Sequence, residues 1–130
     1  MTNCKKMTKI KILLVDNHPE VLKQVQTRLS YEEDFSLSKV TALSNVVEDV
    51  NECHPDVLLI DPYKNNRFDL ECIKQAKKIV PSMTVIVLTA VVDPVANSDL
   101  RRAGAEYILE KSIDSDELVS TLRKVIEKEK

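Results

Sequence analysis

Apolar positions recur along this chain in two alternating rhythms. Short, nearly continuous runs appear at Ile10-Lys11-Ile12-Leu13-Leu14-Val15, Val57-Leu58-Leu59-Ile60 and Val85-Ile86-Val87-Leu88, with a fourth at Tyr107-Ile108-Leu109. Runs of β-branched and aliphatic residues without a polar face predict strands buried on both sides, as in a parallel sheet covered by helices. Between the runs, apolar residues return every three or four positions, the period of a helix with one buried stripe. Strand and helix signals alternate to the end, which is the signature of βαβ units and an α/β fold with helices on both faces of one five-stranded parallel sheet.

The elements follow from the same pattern. A first strand over residues 9–15 leads to a helix from Pro19 to about Leu29, with proline in its first turn and Val21, Leu22, Val25 and Leu29 on one face. Residues 35–41 alternate apolar and polar and read as an edge strand. A second helix runs from near Ser44 to Cys53 and is stopped by Pro55, and a third spans about 68–80 and is ended by Pro81. The fourth starts at Asp93-Pro94, a cap followed by proline, and closes at Gly104, the only glycine of the chain. In the fifth, Asp114 and Glu117 stand at capping-box spacing before Leu118, Leu122, Val125 and Ile126. Residues 1–8 form a polar tail, and 9–130 read as one domain with no internal linker or repeat.

Each strand run ends on a residue able to handle a phosphoryl group or its metal: Asp16, Asp61, Thr89 and Lys111. Parallel strands all point the same way, so residues just beyond them gather along one sheet edge, where α/β folds bind their ligands. Alone, each residue has a plain structural role: a turn-capping aspartate, a β-forming threonine, a solvated lysine. Their common placement at four strand ends sets them apart. Two carboxylates there suit a hard divalent cation such as Mg²⁺, a hydroxyl suits a phosphoryl oxygen, and an ammonium suits the developing phosphate charge.

Composition narrows the alternatives. The 130 residues carry a formal net charge of -2 with no Trp and few aromatics, so neither a basic surface nor a stacking platform for nucleic acid is present. Cys4, Cys53 and Cys72 form an odd set without a CxxC pair, which predicts free thiols in a reducing, cytoplasmic setting. The sequence holds no run long enough to span a membrane and no apolar stretch of signal-peptide type at its start. One glycine excludes GxGxxG and Walker loops, and no GxSxG elbow occurs. His54 adjoins Cys53 and His18 stands alone, so neither has zinc-ligand spacing. A solvated face accounts for the basic cluster Lys5, Lys6, Lys9 and Lys11.

From about Lys9 to Lys130 the chain resembles the receiver domains of bacterial two-component response regulators. Leu13-Leu14-Val15-Asp16-Asn17-His18-Pro19 resembles the acidic first loop of that family, Asp56-Val57-Leu58-Leu59-Ile60-Asp61 its phosphoacceptor strand, and Leu88-Thr89-Ala90 its hydroxyl motif. Ala103-Gly104-Ala105 with the later Lys111 resembles the final segment. The resemblance implies a doubly wound, flavodoxin-like sheet of order 2-1-3-4-5. It also implies a phosphoryl group accepted on Asp61 from a histidine kinase or phosphotransfer protein, Mg²⁺ held by Asp16, position 17, Asp61 and the Tyr63 carbonyl, and Thr89 and Lys111 on the transferred group. Such a domain signals and at most catalyses its own phosphorylation and dephosphorylation. It leaves open a homodimer and an output domain outside this segment.

Departures from the family pattern fall at the site. Asn17 stands where a second acid is usual, which removes one charge and weakens the metal site. Asn65 and Asp69 replace a usual proline and glycine, so the path of residues 62–69 and the placing of the Tyr63 carbonyl are expected to change. Ile108 occupies the place of a switch aromatic, and Tyr107 cannot substitute because neighbouring strand residues face opposite sides. Two competing readings remain. One is a degenerate receiver that docks or dimerises without phosphate; the other is a flavin-binding domain of the same topology, which the Asn17-His18-Pro19-Glu20 loop does not equip to cradle a phosphate.

Overall fold

The structure is a computed structural model that describes residues 9–16, 18–91 and 93–129. Among the described residues, seven strands and five helices follow in the order β1 (Ile10–Val15), α1 (Pro19–Ser30), β2 (Phe35–Thr41), α2 (Val46–Cys53), β3 (Val57–Ile60), β4 (Tyr63–Lys64), β5 (Arg67–Phe68), α3 (Leu70–Ile79), β6 (Thr84–Thr89), α4 (Pro94–Ala103), β7 (Tyr107–Glu110) and α5 (Ser115–Glu129), with one 3₁₀ turn at Leu43–Asn45 before α2. Five strands pair in the order β2-β1-β3-β6-β7, all parallel. With the small β4-β5 hairpin set apart, that is the doubly wound 2-1-3-4-5 sheet expected from the sequence. The 1–8 tail lies outside the described residues.

Strand pleating divides the core into two layers. Leu13, Val15, Leu58, Ile60, Val85 and Val87 point to one face and pack with Val50 of α2, Ile73 of α3 and Leu100 of α4. Ile12, Leu14, Val57, Leu59, Ile86 and Leu88 point to the other and pack with Leu29 of α1 and Leu118, Leu122 and Val125 of α5. The apolar runs are continuous because both faces are covered. On β7, Ile108 joins the first layer and Tyr107 the second, as the pleat requires. That strand is only half-buried because it lies at the sheet edge.

Helix limits agree with the caps read from the sequence except at α3 and α2. Asp93 accepts the N–H of Val95 before Pro94 opens α4. The third helix begins at Leu70, because Asp69 caps it by accepting the Cys72 N–H at 3.2 Å and Phe68 belongs to β5. The second begins at Val46, because Leu43–Asn45 form the 3₁₀ turn, and it ends at Cys53 as expected, with His54 at φ 46° in the left-handed region before Pro55.

Gly104 has φ 132°, and its N–H donates to the carbonyls of Leu100 and Arg101. A Cβ there would lie 2.8 Å from Lys77 Cγ. Lys77 has little freedom to move, since its Nζ donates to the Met83 and Pro81 carbonyls at 2.7 and 3.2 Å. Gly104→Ala is therefore expected to cost about 1–3 kcal/mol, from backbone strain together with the clash. Urea unfolding should show a lower midpoint at unchanged slope.

An ion network ties α1, the turn before β2 and α5 together. Arg123 donates to Asp34 at 2.8 and 2.9 Å and to Glu32, and its guanidinium lies 5.2 Å from the centre of the Phe35 ring. Arg28 reaches Glu32 and Asp116. Hydrogen bonds from Arg28 and Arg123 hold Glu32 below its ordinary pKa, and one from Arg123 does the same for Asp34. Both acids thus contribute stability above the usual carboxylate range and lose it as pH falls through that range and below. Thermal melts of Arg123→Met are expected to be less acid-sensitive than those of the wild type, by a modest margin because the network is largely exposed.

Candidate functional site

Three neighbouring strand ends at the carboxyl edge of the sheet are finished by the same device. Asp16 follows β1, and its Oδ1 accepts the His18 N–H at 2.9 Å. Asp61 follows β3, and its Oδ1 accepts the Tyr63 N–H at 3.1 Å. Thr89 closes β6, and its Oγ1 accepts the Val91 N–H at 3.2 Å. Each is an Asx- or Ser/Thr-type turn, in which a short polar side chain bonds the N–H two residues on. The turn ends the strand and fixes the rotamer of the side chain that carries it. Sheet hydrogen bonding runs on to the same residues, with the Asp16 N–H on the Thr41 carbonyl at 3.1 Å and the Asp61 N–H on the Val15 carbonyl at 3.0 Å.

Lys111 reaches these ends from β7. The register sets Thr89 beside Glu110, and the Lys111 N–H donates to the Thr89 carbonyl at 2.9 Å. Its Nζ then lies 2.8 Å from Asp16 Oδ2 and 2.7 Å from Asp61 Oδ2. The two aspartates are only 5% and 4% exposed. Burial alone would lower the Lys111 pKa, but hydrogen bonds to Asp16 and Asp61 outweigh it and leave the group above its ordinary value. The ammonium persists throughout the neutral range, and its stabilising contribution is lost only as pH rises past the usual lysine value.

The structure thus joins Asp16, Asp61 and Lys111 by direct contact. Thr89 is linked to Lys111 through the backbone and is 1% exposed, with its side-chain oxygen engaged by the Val91 N–H. Asn17 lies outside the described residues. His18, set aside in the sequence for want of zinc spacing, belongs to the site: its Nδ1 is 3.0 Å from Asp16 Oδ1 and 3.5 Å from Lys111 Nζ. One donor atom each from Asp16, His18 and Asp61 lie within 4.8 Å of one another. The signal available in the sequence was its place two residues after Asp16, where the turn-closing N–H falls.

The segment after Asp61 is a tight hairpin. Tyr63 pairs with Phe68 and Lys64 with Arg67, while Asn65 and Asn66 turn the chain with φ of 54° and 67°. Positive φ at both central residues is the type I′ turn, which asparagine tolerates better than most residues. The two departures within this segment therefore have local structural work, Asn65 in this turn and Asp69 as the cap of α3. The Asp69 N–H donates to the Pro62 carbonyl at 2.9 Å, so 62 and 69 form a bonded pair. The next pair, Tyr63 and Phe68, is then a non-bonded one, and the Tyr63 N–H turns away from β5 to Asp61 Oδ1. The Tyr63 and Phe68 rings meet edge to face at 5.0 Å. They wall a cleft of about 340 Å³ that Val91 and Asp93 close from the α4 side.

Comparison with known proteins agrees with this architecture. A family model described as response regulator receiver domain matches residues 12–123. Response regulator protein VraR of Staphylococcus saprophyticus is 25% identical over 124 residues, covering 92% of this chain and 58% of that protein. VraR of Staphylococcus aureus is 24% identical over 116 residues, covering 88% and 56%. The chain spans about three fifths of the length of these relatives. Among solved structures, the receiver domain of the response regulator NarL from Mycobacterium tuberculosis superposes with a TM-score of 0.83 at 18% identity, covering 92% of this chain and 97% of that one. A CheY-like receiver domain protein from Methanospirillum hungatei gives 0.85 at 17% identity, with 94% and 97% covered. At these identities the structural likeness concerns the fold.

Proposed function

The chain belongs to the response regulator receiver domain family, and we propose that within it Asp61 accepts a phosphoryl group from a histidine kinase or phosphotransfer protein in a Mg²⁺-dependent reaction. The observation that carries this reading is the convergence of Asp16, Asp61 and Lys111 within single hydrogen-bond distances at one sheet edge. Receiver domains are signalling modules that work with histidine kinases, and no described helix is long and apolar enough to cross a membrane.

The donor set fits a hard divalent cation. Asp16 and Asp61 present carboxylate oxygens close enough for one ion to span, and the family resemblance adds the Tyr63 carbonyl as a further ligand. The sequence has an amide, Asn17, where a second acid is usual, so affinity is expected to be low. Bound there, Mg²⁺ would draw charge from the phosphoryl oxygens and hold them against Asp61. One carboxylate oxygen of Asp61 forms the new P–O bond as the P–N or P–O bond to the donor breaks in line, and the leaving group departs with the bonding pair. Lys111 then exchanges its contact with Asp61 for one to a phosphoryl oxygen. Thr89 keeps its own hydroxyl hydrogen free to donate while accepting from Val91. Acceptor, ammonium and hydroxyl are all placed before reaction by turns and sheet register, which is where most of the catalytic advantage of such sites resides.

Intact-mass spectrometry after incubation with acetyl phosphate tests this directly. One added phosphoryl group in the presence of Mg²⁺ and none with chelator is the expected result. No addition under either condition would favour a docking module that no longer uses phosphate.

A further inference from the structure

We propose that His18 is itself a ligand of the divalent ion, through Nδ1, and that the site therefore favours borderline first-row ions such as Mn²⁺, Co²⁺ and Ni²⁺ more than an all-oxygen receiver site would. This rests on the reading of Asp16 and Asp61 as the carboxylates of a cation site. Two donors each about 2.1 Å from one ion and at right angles are separated by about 3.0 Å. His18 Nδ1 and Asp16 Oδ1 stand at that separation, 3.0 Å. Asp61 brings a carboxylate oxygen within 4.8 Å of both.

The placement is built into the backbone. The Asx-type turn that fixes Asp16 uses the His18 N–H, so the imidazole and the carboxylate that share the ion are held by one three-residue loop. Nδ1 meets Lys111 Nζ as well, at 3.5 Å. The imidazole thus borders the space that the ammonium fills between the two aspartates, and an ion entering there would displace the ammonium. The histidine side chain is 62% exposed, so its ring can turn to ligate without disturbing the core. Ligation through Nδ1 leaves the ring proton on Nε2. The sequence also supplies a reason for a third donor, since residue 17 brings an amide and no second carboxylate. Carboxylate and carbonyl oxygens suit Mg²⁺, whereas an imidazole adds affinity for ions later in the Irving–Williams order.

The test compares the full chain with His18→Ala and with His54→Asn, the latter a control for adventitious binding at the chain's other histidine that keeps a residue tolerant of its left-handed backbone. Calorimetric titration with Ni²⁺ and with Mg²⁺ gives an affinity ratio, and pulsed EPR of bound Mn²⁺ detects a coordinated ¹⁴N. In His18→Ala the Ni²⁺/Mg²⁺ ratio is expected to fall about tenfold or more, the scale on which individual groups act in metal sites. Its Mg²⁺ affinity should stay within about twofold, and the ¹⁴N coupling of the wild type should vanish. His54→Asn should change none of these. An unchanged ratio, or Mn²⁺ bound to the wild type without ¹⁴N coupling, would overturn the histidine ligand while leaving the receiver reading intact. Failure of the wild type to bind any of the three ions would overturn both.

Discussion

Asp61→Asn is expected to abolish phosphoryl transfer from acetyl phosphate, leaving no mass gain above background while the fold persists. The amide is nearly isosteric but is a far poorer nucleophile than a carboxylate, and the acid contributes the attacking oxygen itself. Structural loss should be small, because the Tyr63 N–H can still donate to the amide oxygen and Lys111 retains Asp16 as partner. Circular dichroism alongside the mass measurement separates the two effects. Labelling that survives undiminished in a folded Asp61→Asn protein would remove Asp61 from the acceptor role.

The second large effect is expected at Lys111. Its ammonium stands between two aspartates that are each about nine-tenths or more buried, so removing it leaves like charges facing each other without a counterion. Breaking a buried pair from one side typically costs about 3–5 kcal/mol, and the open edge of this site reduces the expected loss for Lys111→Ala to roughly 2–3 kcal/mol in metal-free buffer. The same change removes the cation that a divalent ion must displace, so Mg²⁺ should bind about tenfold more tightly, a gain near 1.4 kcal/mol that is modest for one charge a few ångströms away. Added Mg²⁺ should therefore raise the melting temperature of the variant more than that of the wild type. Equal Mg²⁺-induced shifts in the two proteins would mean that lysine and metal do not compete for one place.

The sheet and its covering helices could be read in the sequence because Leu13, Leu58, Val85 and their neighbours lie in runs buried on both faces, a pattern with few alternatives. The four strand-end residues were legible for the same reason, since parallel strands deliver their ends to one edge. What the sequence concealed were features set by register and by short-range turns. The β4-β5 hairpin has two-residue strands and so no periodicity to detect, although the Asn65-Asn66 pair between Tyr63-Lys64 and Arg67-Phe68 was a turn signal. His18 passed unnoticed because spacing rules compare sequence neighbours, whereas this site draws its donors from two separate strand ends. The bridging position of Lys111 depends on the pairing of Thr89 with Glu110, which no local pattern encodes.

The most direct measurement is chemical location of the phosphoryl group. The wild-type protein is incubated with acetyl phosphate and Mg²⁺, reduced with borohydride, which converts an aspartyl phosphate to homoserine, and digested for peptide mass spectrometry. Homoserine at position 61 alone is the result predicted here. Homoserine at position 16, or a phosphorylated protein that yields no homoserine at all, would contradict the account.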